Sequence, residues 1–446
     1  MAKRRSPFVY FSGLSLTNVK AFGETQFLDL RDPITERPAR WTLILGDNGV
    51  GKTTLLQCIA LMRPILATPE GSSSDAPEPD RVQAALAERE NSELIALARA
   101  GESAEVSLKA HLIGGRRLNG VGGKPTELNL SIGIEVRNHK LSAFEVSESM
   151  IPNFTEPLVI GYSAARHMSY LRGDGLITSD DPTEPLFDPS LELIDAEDIL
   201  QRLDHARYKD NEKADDLLTK LKSALAKLLP DVESGEGIFI YGPAVPGSGR
   251  RKSGVEFRTP YGDVPFRSLS LGYQTTTAWA VDLAWKLFQH YPDSDDPLQE
   301  PAVVLIDELD LHLHPLWQRT LRPSISEFFP EVQFIATAHS PLIAQSYLDS
   351  NIVVLARKGD HVEIENDPAV VNSWGLDELV TSELFGLSSP YPPEIDSMIR
   401  ERAALLKLAR RTAVERDRLA DLQGRIEAAT AEGEACVLSF ASDARV

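Results

Sequence analysis

The chain of 446 residues is 42% hydrophobic and 25% charged, the balance of a water-soluble globular protein long enough for two or three domains and a large core. Its 66 Asp and Glu against 46 Lys and Arg give a net charge of −20, which opposes general adhesion to nucleic acid. No apolar run is long enough to span a bilayer, and the opening "MAKRRSPFVYFSG" lacks a signal-peptide core. Two cysteines, Cys58 and Cys436, support neither a disulfide framework nor a thiolate zinc site, so a cytoplasmic location away from membranes is expected.

In chain order, "LSLTNVKAFGETQFLDL" (14–30) predicts two strands around a turn near Gly23. "RWTLILGDNGVGKTTLLQCIALM" runs from an apolar strand through a glycine-rich loop into a helix. Residues 66 to 104 are polar, with "PEGSSSDAPEPD" read as an exposed loop ahead of a helical stretch. "AEVSLKAHLIGG", "ELNLSIGIEV" and "KLSAFEVSE" predict an antiparallel lobe, and "EPLVIGYSA" a further buried strand. Helical periodicity covers about 189 to 229, and a second strong helix starts near Ser270. "AVVLID" and "VQFIATAHS" are continuous apolar runs, the mark of parallel strands buried on both faces. The tail "PPEIDSMIRERAALLKLARRTAVERDRLADLQGRIEAA" is charged and helical; arginines at several would-be core positions favour a docking helix over a coiled coil. Two basic clusters, Arg116–Arg117 and Arg250–Arg251–Lys252, lie in glycine-containing stretches and read as solvated loops, although any DNA contact would have to use them.

The first chemical signal is Gly46-Asp47-Asn48-Gly49-Val50-Gly51-Lys52-Thr53, a P-loop pattern, with Thr54 next. Glycines let successive backbone N–H groups turn onto phosphate oxygens, and the following helix offers its positive N-terminal end to the same anion. Lys52 would reach the β and γ phosphates of ATP, and the Thr53 hydroxyl would ligate Mg²⁺. Such a site needs an acid at the end of a neighbouring strand to hold Mg²⁺, and "AVVLIDE" supplies Asp307. Glu308, one step on, is placed to accept a proton from water attacking the γ-phosphate. His339, directly after "FIATA", can hydrogen-bond that phosphate and sense its loss.

"LDLHLHP" raises a competing reading, a metal centre on His312 and His314. In a helix two such rings point about 200° apart, and the nearby acids are already committed. Pro315 suits the first turn of a helix, which leaves both histidines in a connection that senses or contacts a partner subunit, or that simply packs.

Taken together, G-x-N-G-x-G-K-T at 46–53, "LSLGYQ" at 269–274, "LIDE" at 305–308 and "TAHS" at 337–340 resemble the ABC-type ATPase head, most closely its SMC, RecF and OLD-like branch. The likeness covers roughly 1–65 and 250–350, with the motifs in the expected order. It implies an α/β P-loop NTPase fold of ABC-ATPase head type, in which two heads sandwich two ATPs and Ser270 with Gly272 act in trans on the partner's γ-phosphate. Departures are present. Leu271 and Tyr273 replace a usual glycine and a polar residue, and His314 stands where such heads carry an aspartate. No glutamine stands out in "GYSAARH" (161–167), which offers Arg166 as a nucleotide-side residue instead.

The organisation expected is an N-terminal head part (1–65), a loop plus antiparallel β lobe (66–150), a return to the head (151–185) and a helical insertion (186–235). The second head part (236–390) and a C-terminal helical tail (391–446) follow. The stretch from Lys52 to Ser270 exceeds a compact transporter head and falls far short of SMC arms, and 341–446 shows no D-x-D cluster of a Toprim nuclease. "LIDELDLHLHP", "TAHSP" and "WGLDELVTSELFGL" (374–387) are similar to ATPases of bacterial antiphage operons, such as Septu PtuA-like, retron-associated and PARIS-type proteins. That resemblance implies a homodimer or higher homo-oligomer regulating a separate effector, an HNH or Toprim nuclease. The alternative is a RecF-like repair ATPase that binds DNA on an ATP-closed dimer.

Overall fold

The computed structural model describes residues 8–67, 80–99, 103–115, 118, 126–137, 140–147, 149–151, 154–166, 180–208, 212–229, 231–242, 254–346, 350–366, 389, 391–408 and 412–443. Both basic clusters, residues 69–79 of the polar loop and the "WGLDELVTSELFGL" stretch lie outside the described residues.

A six-stranded sheet forms the centre of the chain. It comprises β3 (Trp41–Gly46), β10 (Val159–Tyr162), β14 (Ala302–Ile306), β15 (Val332–Ala338), β16 (Asn351–Lys358) and β17 (His361–Asn366), in the order β10-β14-β15-β3-β16-β17. Every pairing is parallel except β16 with β17. Strands β3, β14 and β15 are buried at every residue, as their unbroken apolar runs require; covered on both faces, each Val, Leu or Ile contributes about 1.5–3 kcal/mol. Helices α1 (Lys52–Leu61), α5 (Leu271–His290), α6 (Pro315–Phe328) and α7 (Pro341–Ser346) connect or flank these strands.

A second, antiparallel sheet has the order β2-β1-β6-β7-β8, from β1 (Phe8–Thr17), β2 (Gln26–Asp29), β6 (Ser103–Gly115), β7 (Thr126–Arg137) and β8 (Lys140–Val146). The lobe expected over 66–150 therefore continues into residues 8–29: β1 pairs with β6 from Phe8–Gly115 to Thr17–Ser107. Gln333 of β15 clamps the two sheets together. Its buried side chain accepts from Phe11 N–H at 3.0 Å and donates to Phe11 O at 2.7 Å, replacing bonds to water with a matched pair.

Small sheets complete this part: β4 (Pro64–Leu66), β5 (Asp80–Ala84) and β9 (Ser149–Ile151) form one, and α2 (Asn91–Leu97), between β5 and β6 in the chain, packs on β8 of the lobe. The expected helical insertion is a pair, α3 (Ala196–Arg207) and α4 (Glu212–Leu228), and the residues before 196 form a 3₁₀ turn and extended chain. Asp195 caps α3 by accepting from Glu197 N–H at 2.9 Å. A three-stranded sheet of β11 (Ile238–Tyr241), β12 (Gly254–Thr259) and β13 (Gly262–Pro265) then leads to α5.

The chain divides into two compact units at 376/377. The second contains α8 (Pro393–Lys407) and α9 (Ala413–Asp443), joined by a bidentate pair in which Arg418 Nε and Nη2 donate to Glu401 at 2.8 and 2.9 Å. Among the described residues no helix is long and apolar enough to cross a membrane.

Candidate nucleotide and hydrolytic site

The strand order places three carboxyl ends side by side. Strand β3 ends in the P-loop, β14 ends at Asp307 and β15 ends at His339, and β14, β15 and β3 are adjacent. An open α/β sheet binds ligands at this edge, because the loops leaving parallel strands converge there.

The P-loop has the backbone that its glycines permit. Gly46, Gly49 and Gly51 have φ of 150°, 77° and 93°, and a β-carbon at Gly46 would lie 2.8 Å from the Leu355 carbonyl oxygen. Val50 is buried and anchors the loop from below, whereas Asp47, Asn48 and Gly49 face solvent. Lys52 folds back over the loop, donating to Gly46 O and Asp47 O at 2.8 Å each. Burial holds its ammonium below the ordinary lysine range, against the opposing pull of Asp307, Glu308, Asp310 and Asp47.

Thr53 and Asp307 meet: the threonine hydroxyl donates to Asp307 Oδ2 at 2.7 Å. Thr54 is half-buried beside it in the first turn of α1. Two oxygen donors flanking a buried lysine and a P-loop make a donor set suited to a hard divalent cation such as Mg²⁺. Glu308 follows, at φ 50°, with its Oε1 4.0 Å from His339 Nε2. The expected residues Lys52, Thr53, Asp307, Glu308 and His339 are therefore brought together.

Three further residues, none of them expected to hold the acidic turn, shape the site. Thr337 of β15, fully buried, donates through its hydroxyl to Asp307 Oδ1 at 2.6 Å and accepts from Glu308 N–H at 2.7 Å. Asp310 accepts from His339 N–H at 3.1–3.2 Å, tying the histidine's backbone to the acidic turn. Arg166, expected as a nucleotide-side residue, instead turns its buried guanidinium onto the acidic turn, donating to Asp307 O at 2.6 Å and Glu308 O at 2.8 Å. Burial lowers its pKa to about 10 despite Asp307, Asp310 and Glu308 nearby, so it stays a cation at neutral pH. The "TAHS" stretch could have flagged Thr337 only as a strand-end polar residue.

Ser270 and Gly272 start α5 and, among the described residues, make no hydrogen bond with the P-loop. Ser270 occupies the N-cap position without a side-chain cap bond. Gly272 is a close-approach glycine, since a β-carbon there would stand 2.4 Å from the His312 carbonyl oxygen. Gln274 Nε2 shapes the preceding turn by donating to Leu269 O at 2.7 Å, and Tyr273 bonds Asp231 through its hydroxyl. Arg267 ties this turn to the helical insertion, donating to Glu197 and Asp195 at 2.5 and 2.8 Å. His314 is the N-cap of α6, its Nδ1 accepting from Leu316 N–H at 3.3 Å ahead of Pro315, while His312 sits at φ 64° in the connection.

A P-loop at the end of one parallel strand, paired acids on its neighbour's neighbour and a histidine on the strand between make an α/β site whose donors suit a nucleotide's phosphates. Comparison with known proteins shows what the chain is similar to. Residues 162–344 match a family model described as "AAA domain, putative AbiEii toxin, Type IV TA system", and 14–75 match an AAA domain model. The chain is 25% identical over 361 residues to the Septu protein PtuA of Bacillus mycoides, an alignment covering 79% of this chain and 42% of that protein. Over 112 residues it is 38% identical to the retron Ec83 probable ATPase of Escherichia coli, covering 25% of this chain and 20% of that one. The Smc head bound to the C-winged helix domain of ScpA superposes with a TM-score of 0.44 at 16% identity, over 80% of this chain and 97% of that structure. The chain thus spans less than half the length of these two curated relatives.

Proposed function

We propose that the chain binds and hydrolyses ATP and works as an oligomeric regulator of a separate effector, a nuclease, in defence against phage. The observation that carries the ATPase reading is the meeting of Thr53 with Asp307 at 2.7 Å, with Glu308 beside them and His339 4.0 Å from Glu308. The likeness to PtuA along 79% of this chain supports the defence role.

On arrival of ATP, Lys52 exchanges its two carbonyl partners for phosphate oxygens, a stronger acceptor for a buried cation. Thr53 and Asp307 would hold Mg²⁺, which when bound would supply neutralisation of the phosphate charge. Glu308 takes the proton from attacking water as the new P–O bond forms, and the bond to the β-phosphate oxygen breaks with its electron pair leaving on ADP. His339, its backbone tied to Asp310, donates to the γ-phosphate and reports its loss. Ser270 and Gly272 serve the ATP held by a second copy, closing a dimer.

Light scattering of the Glu308→Gln protein, with and without ATP and again with duplex DNA, tests this reading. The variant should bind ATP, turn it over poorly and accumulate closed oligomers that ignore DNA. A monomer with full turnover would remove Glu308 from the proton-accepting role, and assembly that requires DNA would replace the effector reading with a repair ATPase.

A further inference from the structure

Arg166 lies just past β10, and its guanidinium is the one described side chain that reaches the carbonyls of both hydrolytic acids. Those carbonyls belong to successive peptides of the turn after β14, and they converge on Nη1 at 2.6 Å and Nη2 at 2.8 Å. The turn needs such restraint. Glu308 has φ 50°, a left-handed conformation that costs a residue with a β-carbon about 1–2 kcal/mol, and such a residue persists only where its surroundings over-determine it.

The restraint comes from two sides. On the β15 side Thr337 receives Glu308 N–H on its hydroxyl and Leu309 N–H on its carbonyl, at 2.7 and 2.8 Å. On the β10 side the Arg166 fork receives the two carbonyls. With one side gone, Glu308 relaxes toward the right-handed region and its carboxylate swings off line.

We infer that Arg166 is a positioning residue of the hydrolytic centre: by holding both carbonyls of the Asp307–Glu308 turn it sets where the two carboxylates point. It acts through the backbone, and its planar fork matters as well as its charge, since an ammonium offers one point of attachment where a guanidinium offers two parallel donors. The inference rests on the ATPase reading above.

The test compares the full chain with Arg166→Ala and Arg166→Lys. Steady-state turnover would be measured alongside binding of a fluorescent ATP analogue, the latter with Mg²⁺ and with EDTA. In Arg166→Ala the kcat should fall about 10- to 100-fold, the loss typical of removing a group that orients a metal ligand. Metal-free nucleotide affinity should hold, while the gain in affinity that Mg²⁺ confers should vanish. Millimolar guanidinium should restore part of the rate and urea should not. Arg166→Lys, which keeps the charge, should still lose most of the rate.

Full kcat in Arg166→Ala would overturn the inference. So would lost metal-free affinity at unchanged kcat, which would make Arg166 a nucleotide ligand. If the alanine variant melts before assay, Arg166→Lys decides alone by the same measures. A parent that binds nucleotide without turnover would refute the ATPase reading, and the Mg²⁺-dependent gain would still decide Arg166.

Discussion

Replacing Thr337 by valine exchanges one hydroxyl for a methyl at a fully buried position of β15. Two hydrogen bonds go with it. The donation to the Asp307 carboxylate at 2.6 Å is worth about 1.5–3 kcal/mol, as a bond to a charged group, and stranding the Glu308 N–H costs about 1–3 kcal/mol. Both depend on the same oxygen, so they do not add in full, and the new methyl recovers about 0.8 kcal/mol of apolar burial. The net loss should be about 2–3 kcal/mol in the unit holding residues 1–376. Urea unfolding followed by tryptophan fluorescence measures it, with Thr337→Ser, which keeps the hydroxyl, as the comparison. Turnover should fall too, because Asp307 and Glu308 lose a shared anchor. A Thr337→Val protein within about 0.5 kcal/mol of the parent and fully active would refute the anchoring argument.

Lys52→Ala removes the buried donor that the P-loop carbonyls hold ready, and nucleotide affinity should drop about 10- to 100-fold, equivalent to about 1.5–3 kcal/mol for a charge-assisted bond; unchanged affinity for a fluorescent ATP analogue would overturn the site. Ser270→Arg at the start of α5 should spare ATP binding and block ATP-driven association, and normal association by light scattering would exclude a trans-acting role for that serine.

Much of the site could be read without coordinates, for reasons of locality. The P-loop is eight contiguous residues whose glycines dictate the backbone, and the observed φ values of Gly49 and Gly51 lie in the region that their lack of a β-carbon opens. Likewise, an unbroken apolar run announces a buried parallel strand, so β3, β14 and β15 and the residues at their ends follow directly. In the sequence Arg166 reads as a nucleotide-side residue after a strand, not as a holder of the acidic turn. Its partner carbonyls lie 141 and 142 residues away, and backbone atoms leave no trace in residue identity.

The sequence by itself therefore determined the phosphate-binding pattern of the P-loop and which strand ends carry the two acids and the histidine, because each motif is short and encodes its own local geometry. Only the tertiary structure decided that Thr53 meets Asp307 across 254 residues, that Thr337 and Arg166 hold the acidic turn from opposite sides, and that β1 completes the lobe built by β6 to β8. Those outcomes depend on which strands lie side by side. Strand order follows from the burial of whole faces against one another, a property of the assembled sheet that no single segment carries.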